Sequence, residues 1–551
     1  MLARGTLCLV LLSLPAAFSE IYSSIESVKN AWVREKVALQ DALDFLNGFD
    51  VSSIPTPYNI HSLDGFKRFI AETNETHMTY DEEDSMEAYL RHPIHIYHFI
   101  KRCVDDWRFH TQHLLYISEE KHVMDYVDRL NDMFEQDNLW PRRGDLTAAS
   151  LGLIRLHRTY EFSFDEMAGG NINGIPSEPL TVEDMYNIAL VGVDNWRPWS
   201  ALKWILAVSQ RLRAGEVGGP SATSYEKVRL KLAELFDKFG NYHLAARAAE
   251  TIPRTDAERE FFKELITYYK NRNATNSSNN IVPHKQFSTV HSTYERYCRG
   301  DIPEKPANVT QHLRCFTRPS AVPYHLAKIE VLHINPNIYM FHDVVYEGEQ
   351  QEIKQMAKER LVRSTVAAAE GFSRIADYRI SETAWLDKEE DTVLPKVFKR
   401  VQQLSGFRVD ELDGKPGSEN LQVLNYGIGG MYGPHADFLR KYPDEKFYLN
   451  KGEGDDEMSQ IGDRIATWMF YLNDVEYGGA TVFPIAGARV LPVKGSATLW
   501  YNLNRDGDPD VRTLHAGCPV AIGSKWLGNI WFRYNQQAFN KRCLPGNEHA
   551  L

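Results

Sequence analysis

The sequence predicts an α+β multidomain protein with an all-α N-terminal half and a β-rich C-terminal domain. At 551 residues the chain is long enough for about three to four domains. Apolar residues recur at helical spacing through the first half, whereas short β-rich runs separated by Gly, Asp and Pro begin near residue 335. Many short strands at regular spacing are typical of a β-sandwich or barrel.

Composition and charge exclude several classes of protein. Hydrophobic residues make up 43% and charged residues 25% of the chain, which favours folded globular domains over dominant disorder. The formal net charge is −12, whereas a dedicated nucleic-acid binder is normally basic. The sequence contains no apolar run of about 18 residues, so it predicts no transmembrane helix.

The first residues predict a secretory leader. Arg4 gives a positive start, an apolar core follows it, and Ala17 and Ser19 are small residues at the spacing of a signal peptidase site. We therefore expect residues 1–19 to be a signal peptide, with a buried N-terminal helix as the alternative. The chain ends in NEHAL rather than a KDEL-type sequence, so retention in the endoplasmic reticulum would require a partner.

Entry into the secretory pathway permits disulfides and N-glycosylation. The candidate glycosylation sites are the N-x-[ST] acceptors Asn74, Asn273, Asn276 and Asn308. Cys8 leaves with the leader, and the remaining cysteines are Cys103, Cys298, Cys315, Cys518 and Cys543. This odd number leaves one thiol unpaired or paired with another chain. The sequence has no C-x-x-C spacing, so it does not support a zinc ribbon or a thioredoxin-like redox site.

Residues 20–170 are predicted to form a helical N-terminal region. Its first helix has apolar residues at a spacing of three or four, with Glu35 as an interruption: Ile25, Val28, Trp32, Leu39, Ala42 and Leu46. The pattern fits a short coiled-coil-like helix for self-association. It fits an ordinary amphipathic core helix equally well.

Residues 180–255 are predicted to form two helix pairs, for which Thr181 and Ser224 are candidate N-terminal residues. The piece LAELFDKFGNYHLAARAAETI has the pattern of one tetratricopeptide repeat, in which small alanines allow close packing after a Gly-Asn turn. Such repeats form concave peptide-binding surfaces. Four aromatic residues are candidates for lining the groove, and core packing is the alternative for each: Trp196, Trp199, Trp204 and Tyr242.

Residues 256–334 are predicted to be a linker, because the stretch around NRNATNSSNN is rich in Asn and Ser. We expect a disulfide between Cys298 and Cys315 to close a short loop within it. Such a loop closure contributes about 3 kcal/mol to stability.

His435 and Asp437 form the candidate start of a metal site in the stretch GPHADF. On a strand, positions i and i+2 point to the same face, so the imidazole and the carboxylate lie side by side. Two histidines and one carboxylate leave three coordination positions open, which is typical of non-haem Fe(II) oxygenases. The candidate third ligand is His515 in RTLHAGCPV. The alternative is that both histidines are ordinary surface or core residues.

Lys525 follows His515 by ten residues and is a candidate anchor for 2-oxoglutarate. This co-substrate chelates iron through its C1 carboxylate and C2 keto oxygen, so its far carboxylate requires a separate cation. A lone ammonium group suits a single carboxylate. Trp531 shares a strand face with Lys525 and is expected to wall the pocket. Tyr426 and Thr467 are candidate hydrogen-bond donors to the co-substrate.

A family resemblance makes these assignments more specific. The stretches NYGIGGMYGPHADFLRK, RIATWMFYLNDVEYGGATVFP, LWYNL and HAGCPVAIGSKW resemble the α subunit of animal collagen prolyl 4-hydroxylase in sequence, order and spacing. Upstream, YRISETAWL, YERYCRG and HPIHIYHFIKR extend the resemblance. It covers essentially the whole mature chain and is densest between about 335 and 543.

The resemblance implies a double-stranded β-helix (jelly-roll) dioxygenase domain over residues 335–545, a tetratricopeptide-like peptide-binding domain and an N-terminal dimerisation region. Carried over by motif, it implies iron binding by the two histidines and Asp437, and 2-oxoglutarate binding by Lys525. It also implies two disulfides, Cys298 with Cys315 and Cys518 with Cys543, and leaves Cys103 as the free thiol.

The resemblance further implies an activity and its partners. The activity is procollagen-proline 4-dioxygenase, which uses Fe(II), 2-oxoglutarate and O2 and releases succinate and CO2. L-ascorbate is implied as the reductant that restores the iron. Protein disulfide isomerase is implied as the β subunit, in an assembly of two α and two β chains in the lumen of the endoplasmic reticulum.

The sequence departs from the family in its first peptide-binding helix pair. The stretch VDNWRPWSALKW has tryptophans and Arg197 where the family has a run of tyrosines. One alternative is therefore the same chemistry on a non-collagen Pro-rich peptide. A second alternative is a non-catalytic peptide-binding subunit. Lysyl hydroxylation is disfavoured, because the chain has no room for the additional glycosyltransferase-type domains of those enzymes.

Overall fold

The structure is a computed structural model. It describes residues 21–49, 57–115, 121–217, 223–252, 259–275, 289–320, 326–367, 373–374, 376–390, 392–440 and 461–537. Within these ranges the N-terminal half is helical and the C-terminal half is β-rich, which confirms the predicted division. The predicted signal peptide, Asn276 and Cys543 lie outside the described residues.

The helices of the described ranges fall into two sets. Those of the N-terminal half are α1 (Ile25–Gly48), α2 (Pro57–Thr79), α3 (Glu83–Leu90), α4 (Pro93–Lys101), α5 (Trp107–Leu114), α6 (Lys121–Gln136), α7 (Arg143–Tyr160), α8 (Phe164–Gly169), α9 (Val182–Asp194), α10 (Pro198–Arg213), α11 (Tyr225–Lys238), α12 (Tyr242–Glu250), α13 (Arg259–Thr275), α14 (Thr289–Arg299) and α15 (Ala307–Thr310). The C-terminal half adds α16 (Glu347–Lys358) and α17 (Leu394–Ser405). None of these helices is long and apolar enough to cross a bilayer.

The strands lie mainly in the C-terminal half. They are β1 (Asn171–Ile172), β2 (Ile175–Pro176), β3 (Cys315–Pro319), β4 (Leu326–Ile334), β5 (Asn337–His342), β6 (Val362–Arg363), β7 (Val366–Ala367), β8 (Ser373–Arg374), β9 (Arg379–Ile380), β10 (Glu382–Leu386), β11 (Glu411–Leu412), β12 (Lys415–Pro416), β13 (Leu421–Tyr426), β14 (Met431–His435), β15 (Arg464–Tyr471), β16 (Tyr477–Gly478), β17 (Thr481–Phe483), β18 (Ala488–Val490), β19 (Ala497–Tyr501), β20 (His515–Gly517), β21 (Val520–Ile522) and β22 (Lys525–Arg533).

Helix α1 is a core helix of this chain. Ser24 caps its first turn by accepting hydrogen bonds from backbone amides, and its apolar face is buried. Glu35, the interruption in the apolar pattern, is fully buried and accepts a bidentate hydrogen bond from Arg102. His77 and Trp107 complete the shell around this carboxylate at 2.8 Å each. Packing within the chain therefore accounts for these apolar positions, and self-association through this region stays a prediction.

The two predicted helix pairs form α9–α10 and α11–α12. Thr181 and Ser224 cap α9 and α11 with their hydroxyl oxygens, as expected. The tryptophans of the first pair have different environments. Trp204 is fully buried, Trp199 stacks on Phe239 with ring centroids 4.0 Å apart, and Trp196 is 89% exposed in the turn between α9 and α10.

The prediction that residues 256–334 form a linker is wrong. It contains helices α13 and α14, and strands β3 and β4 pair with each other at one edge of the large sheet. Tyr294 and Tyr297 show why, because both rings of α14 are buried against the rest of the fold. The Asn- and Ser-rich composition that suggested a linker is concentrated in residues 276–288, which lie outside the described ranges.

Two antiparallel sheets hold the site between them. The larger has nine strands in the order β3-β4-β5-β19-β15-β22-β13-β10-β6, and the smaller has five in the order β18-β17-β20-β14-β9. A buried apolar cluster with residues from both sheets, including Leu424 and Met469 from the larger and Phe483 and Val490 from the smaller, fills part of the space between them. Helices α16 and α17 cover the opposite face of the larger sheet.

The disulfide of the described residues differs from the expected pairing. Cys298 at the end of α14 is bonded to Cys518 next to β20, with Cα atoms 5.5 Å apart. The expected pairs Cys298–Cys315 and Cys518–Cys543 are therefore wrong in this structure. The physical reason is that α14 packs on the smaller sheet, whereas Cys315 lies exposed on β3 at the edge of the larger one. Cys103 is a free, buried thiol.

Replacement of Cys298 by Ser is expected to lower the free energy of unfolding by about 2–5 kcal/mol, because the bond closes a very long loop. The matched control is Cys315→Ser, which removes an exposed free thiol and should change stability by less than about 0.5 kcal/mol. Denaturant unfolding measures both. Recovery of a Cys298–Cys315 linked peptide from the unreduced protein would contradict this assignment.

Candidate active site

The three candidate metal ligands meet in the space between the sheets. His435 ends β14 and is paired directly with His515, the first residue of β20, while Asp437 lies two residues beyond β14. The Nε2 atoms of His435 and His515 each lie 3.7 Å from a different carboxylate oxygen of Asp437. One ligand atom from each residue can be chosen so that all three lie within 4.8 Å of one another.

Backbone carbonyls orient both imidazoles for metal binding. Nδ1 of His435 lies 2.9 Å from the carbonyl oxygen of Gly433, and Nδ1 of His515 lies 3.1 Å from that of Thr513. A carbonyl only accepts, so in each ring Nδ1 carries the proton and donates it. Nε2 is then the ring nitrogen left to bind a metal, and in both rings it faces the carboxylate. A metal-binding histidine usually donates its other ring N–H to a carbonyl or carboxylate in this way. Two imidazoles and one carboxylate are also a set of ligands that fits Fe(II).

Thr467 contacts Asp437 rather than the space for the co-substrate. Its hydroxyl donates to Asp437 Oδ2 at 2.7 Å and accepts from the side-chain amide of Asn502 at 2.9 Å. The expected role of Thr467 as a hydrogen-bond donor to the co-substrate is therefore corrected, because its single proton is already used. The chain from Asn502 through Thr467 fixes the orientation of the carboxylate.

Burial and mutual proximity set the charge of the ligands. Burial lowers the pKa of His435 to about 3, and the nearby imidazole of His515 adds to this effect. Burial alone would raise the pKa of Asp437, but the imidazoles of His515 and His435, together with Arg464 and Trp531, lower it to about 2. The cluster therefore presents a neutral His435 imidazole and an ionised carboxylate at neutral pH, which are the forms that bind a divalent cation.

Lys525 begins β22 on the larger sheet and lines the same cavity of about 310 Å³ as the three ligands. Its ammonium nitrogen lies 5.9 Å from the ring centres of both Tyr426 and Tyr471. The side chain is 2% exposed, and burial lowers its pKa to about 7. Trp531 lines the cavity as expected, and Tyr426 lines it as well. The role of Tyr426 as a hydrogen-bond donor to the co-substrate stays a prediction.

The affinity for a dicarboxylic co-substrate is expected to fall as the pH rises above about 7. Below that value Lys525 is an ammonium ion, and above it the group that is predicted to pair with the far carboxylate is neutral. The apparent KM for 2-oxoglutarate should therefore rise by up to about tenfold per pH unit, the limit for loss of one proton. Measurement of KM from pH 6.5 to 8.5 checks this, and a flat profile would contradict it.

The lowered pKa of Lys525 also makes the free energy of unfolding depend on pH. The folded pKa lies below the ordinary value of 10.5, so between about pH 7 and 10.5 the unfolded chain holds the extra proton. The contribution of Lys525 to stability therefore increases with pH across that window in the ligand-free protein.

Two parts of the chain match known protein families. Residues 59–174 match the family model "Prolyl 4-Hydroxylase alpha-subunit, N-terminal region", and residues 421–533 match "2OG-Fe(II) oxygenase superfamily". Prolyl 4-hydroxylase subunit alpha-1 of Homo sapiens is 31% identical over 479 residues, which cover 83% of this chain and 85% of that relative. The chain belongs to the prolyl 4-hydroxylase α-subunit family.

Another prolyl 4-hydroxylase relative matches this chain over a similar length, and one solved structure matches a shorter part of it. Prolyl 4-hydroxylase subunit alpha-2 of Gallus gallus is 30% identical over 481 residues, with 83% of this chain and 85% of the relative covered. Among solved structures, the viral collagen prolyl hydroxylase of Paramecium Bursaria Chlorella virus-1 in complex with 2OG covers 36% of this chain and 95% of its own, at 22% identity and a TM-score of 0.26. The family of the C-terminal domain implies Fe(II) as cofactor and 2-oxoglutarate and O2 as co-substrates.

Three further residues line the cavity of this prolyl 4-hydroxylase α-subunit homologue and were not predicted from its sequence: Arg379, Tyr432 and Arg464. Tyr432 stacks on the His435 ring with centroids 3.6 Å apart. The guanidinium carbon of Arg379 lies 4.8 Å from the centre of the Tyr432 ring. Arg464 lies 3.9 Å from the Trp531 ring centre. Tyr432 shares the motif of His435 at a spacing of three and was accessible from sequence. Arg379 was not, because β9 is brought beside β14 only by the fold.

Proposed function

We propose that the protein 4-hydroxylates peptidyl proline in collagen-like secreted proteins, coupled to decarboxylation of 2-oxoglutarate to succinate and CO2. The observation that carries this proposal is the convergence of His435, Asp437, His515 and a buried Lys525 on one cavity. Membership in the prolyl 4-hydroxylase α-subunit family supports proline as the residue that is modified.

Each residue of the cavity has a defined task in this reaction. The two imidazoles and the carboxylate hold Fe(II), and Gly433, Thr513 and Thr467 keep these ligands oriented. Lys525 binds the far carboxylate of 2-oxoglutarate and so aims its keto acid end at the metal-binding face. Bound together, Fe(II), 2-oxoglutarate and O2 supply the oxidant that replaces a C–H bond of proline by C–OH.

Burial of the ligands limits the access of bulk water to the reacting centre. Each of the three metal-binding side chains is less than one tenth exposed, and Trp500 and Phe483 pack beside His515 with ring centroids 4.8 and 5.6 Å away. A dry cavity strengthens the electrostatic contacts of a bound dicarboxylate and limits side reactions of a bound oxidant. The chain therefore contributes positioning and exclusion of solvent, while the cofactor supplies the oxidation.

The finer architecture and cellular setting belong to the same proposal. We infer a double-stranded β-helix for the C-terminal domain, since its two antiparallel sheets enclose the candidate ligands and a jelly roll is built from two such sheets. Helices α9–α12 are proposed to be the tetratricopeptide-like peptide-binding domain. The proposed setting is the lumen of the endoplasmic reticulum, with protein disulfide isomerase as partner, ascorbate as reductant and glycosylation at the N-x-[ST] acceptors.

Mass spectrometry of peptide products tests the proposal. The chain is co-expressed with protein disulfide isomerase and incubated with (Pro-Pro-Gly) repeats, Fe(II), 2-oxoglutarate, ascorbate and O2. The expected result is a gain of one oxygen per modified proline, with release of labelled CO2 from 2-oxoglutarate. Absence of iron-dependent CO2 release with every proline peptide offered would refute the enzymatic assignment.

A second substrate class is retained because of the first helix pair. Trp196 is 89% exposed at its turn, in the stretch where the sequence departs from the family pattern. Non-collagen Pro-rich peptides are therefore offered beside (Pro-Pro-Gly) repeats in the same assay. Faster turnover of the former would assign the same chemistry to a different peptide.

A further inference from the structure

Two backbone segments carry the metal-binding histidines, and they are hydrogen-bonded to each other next to the site. The loop before β14 leads to His435, and the segment after β20 follows His515. The amide of Gly429 donates to the carbonyl of Val520 at 2.7 Å, and the amide of Val520 donates to the carbonyl of Gly430 at 3.1 Å. A movement of either segment is thus transmitted to the separation of the two imidazoles.

Side chains from the helical half bind both of these segments. The phenol of Tyr294 on α14 donates to the carbonyl of Gly517 at 3.2 Å, two residues after His515. The phenol of Tyr160, the last residue of α7, donates to the carbonyl of Pro519 at 2.5 Å. On the other segment, the guanidinium of Arg155 on α7 donates to the carbonyl of Gly429 at 2.7 Å.

These contacts lie in a closely packed interface. Tyr294 is 2% and Tyr160 is 8% exposed, and the apolar core of the helical half continues without a break into Ile428, Met431 and Ala516 of the oxygenase domain. A Cβ atom added at Gly429, where φ is +69°, would lie 3.2 Å from the Arg155 guanidinium. The backbone of the histidine segments is therefore seated directly against α7 and α14.

We propose that Arg155, Tyr160 and Tyr294 are positioning residues for the two metal-binding histidines. The helical half thereby forms an outer shell of the metal site, in addition to any role in binding peptide. The inference rests on the proposed function, because it requires that His435 and His515 bind a divalent metal. Ligands must be held to within about half an ångström for tight binding, and contacts outside the first ligands supply that restraint.

The test uses the double variant Tyr160→Phe/Tyr294→Phe in the full-length chain co-expressed with its partner. This change removes two hydroxyl groups and leaves both rings in place. The matched control is Tyr126→Phe, since Tyr126 on α6 is also buried in the helical half but its hydroxyl has no hydrogen-bond partner among the described residues. Co(II) is the probe, because its visible absorbance reports the number and geometry of its ligands without any turnover.

The double variant is expected to require about tenfold more Co(II) for half-saturation, the lower end of what outer contacts of a metal site contribute. Its absorbance bands should shift, and its KM for 2-oxoglutarate at saturating Fe(II) should stay unchanged because Lys525 lies on the larger sheet. The single variant Tyr294→Phe should require about threefold more Co(II) for half-saturation. Tyr126→Phe should match the unsubstituted protein.

Three results would contradict the positioning role of these tyrosines. A lower melting temperature together with an unchanged Co(II) spectrum and half-saturation would show that the hydroxyls only stabilise the interface, and would overturn the inference. An equal change in the Tyr126→Phe control would overturn it as well. Failure of the unsubstituted protein to bind Co(II) at all would remove the proposed function and this inference with it.

Discussion

Replacement of His435 by Ala is expected to abolish the decarboxylation of 2-oxoglutarate. The substitution removes one of three ligands from a site whose other positions are needed for the co-substrate and O2. It also leaves the charge of Asp437 buried with a single imidazole beside it. The rate of CO2 release should fall by more than about 100-fold, which exceeds the effect of residues outside the first ligands.

The readouts for this variant are labelled CO2 and the iron retained after desalting. The matched control is His312→Ala, which removes an exposed imidazole outside the cavity and should leave both quantities unchanged. Full decarboxylation by the His435→Ala variant would show that the metal is held elsewhere, and the assignment of the site would be wrong.

Replacement of Lys525 by Ala is expected to raise the apparent KM for 2-oxoglutarate by about 10- to 100-fold. Loss of a hydrogen bond to a charged group corresponds to about 1.5–3 kcal/mol. The effect is confined to the co-substrate, because the three metal ligands lie on or beside the smaller sheet while Lys525 begins β22 of the larger one. Iron binding should therefore persist.

Steady-state kinetics at saturating Fe(II) measures this change, and iron retention is followed in parallel. The control is Lys328→Ala, whose side chain is 61% exposed and pairs with Asp343 on the surface. Equal KM values for the Lys525→Ala variant and the unsubstituted protein would refute the anchoring role. Loss of iron together with the change in KM would place Lys525 in the support of the metal ligands instead.

The candidate site was accessible from sequence wherever a local rule or a motif defined it. Alternation of side chains along a strand suggested the pair His435 and Asp437, although Asp437 lies two residues beyond the end of β14. Resemblance to the family connected this pair to His515 and Lys525. Thr467 shows the limit of this approach. Its residue type suggested a hydrogen-bond donor, but its partner, Asp437, is determined by the packing of β15 next to the end of β14.

The pairing of the cysteines was likewise not predictable from the residue types and their spacing. Spacing favoured a short loop from Cys298 to Cys315, yet pairing depends on which Cα atoms come within bonding distance. Helix α14 packs on the smaller sheet and brings Cys298 to Cys518, 220 residues away in sequence. The apparent linker that contained Cys298 turned out to include buried aromatic residues of this helix.

The amino-acid sequence by itself determined the division into a helical and a β-rich half, the family and the residue types of the metal site, because these depend on local periodicity and on motifs. Only the tertiary structure decided the burial that lowers the pKa of Lys525, the partner of Thr467, the disulfide and the seating of the histidine segments on α7 and α14. Each of these depends on contacts between residues far apart in the chain, and such contacts exist only after the sheets and helices have packed.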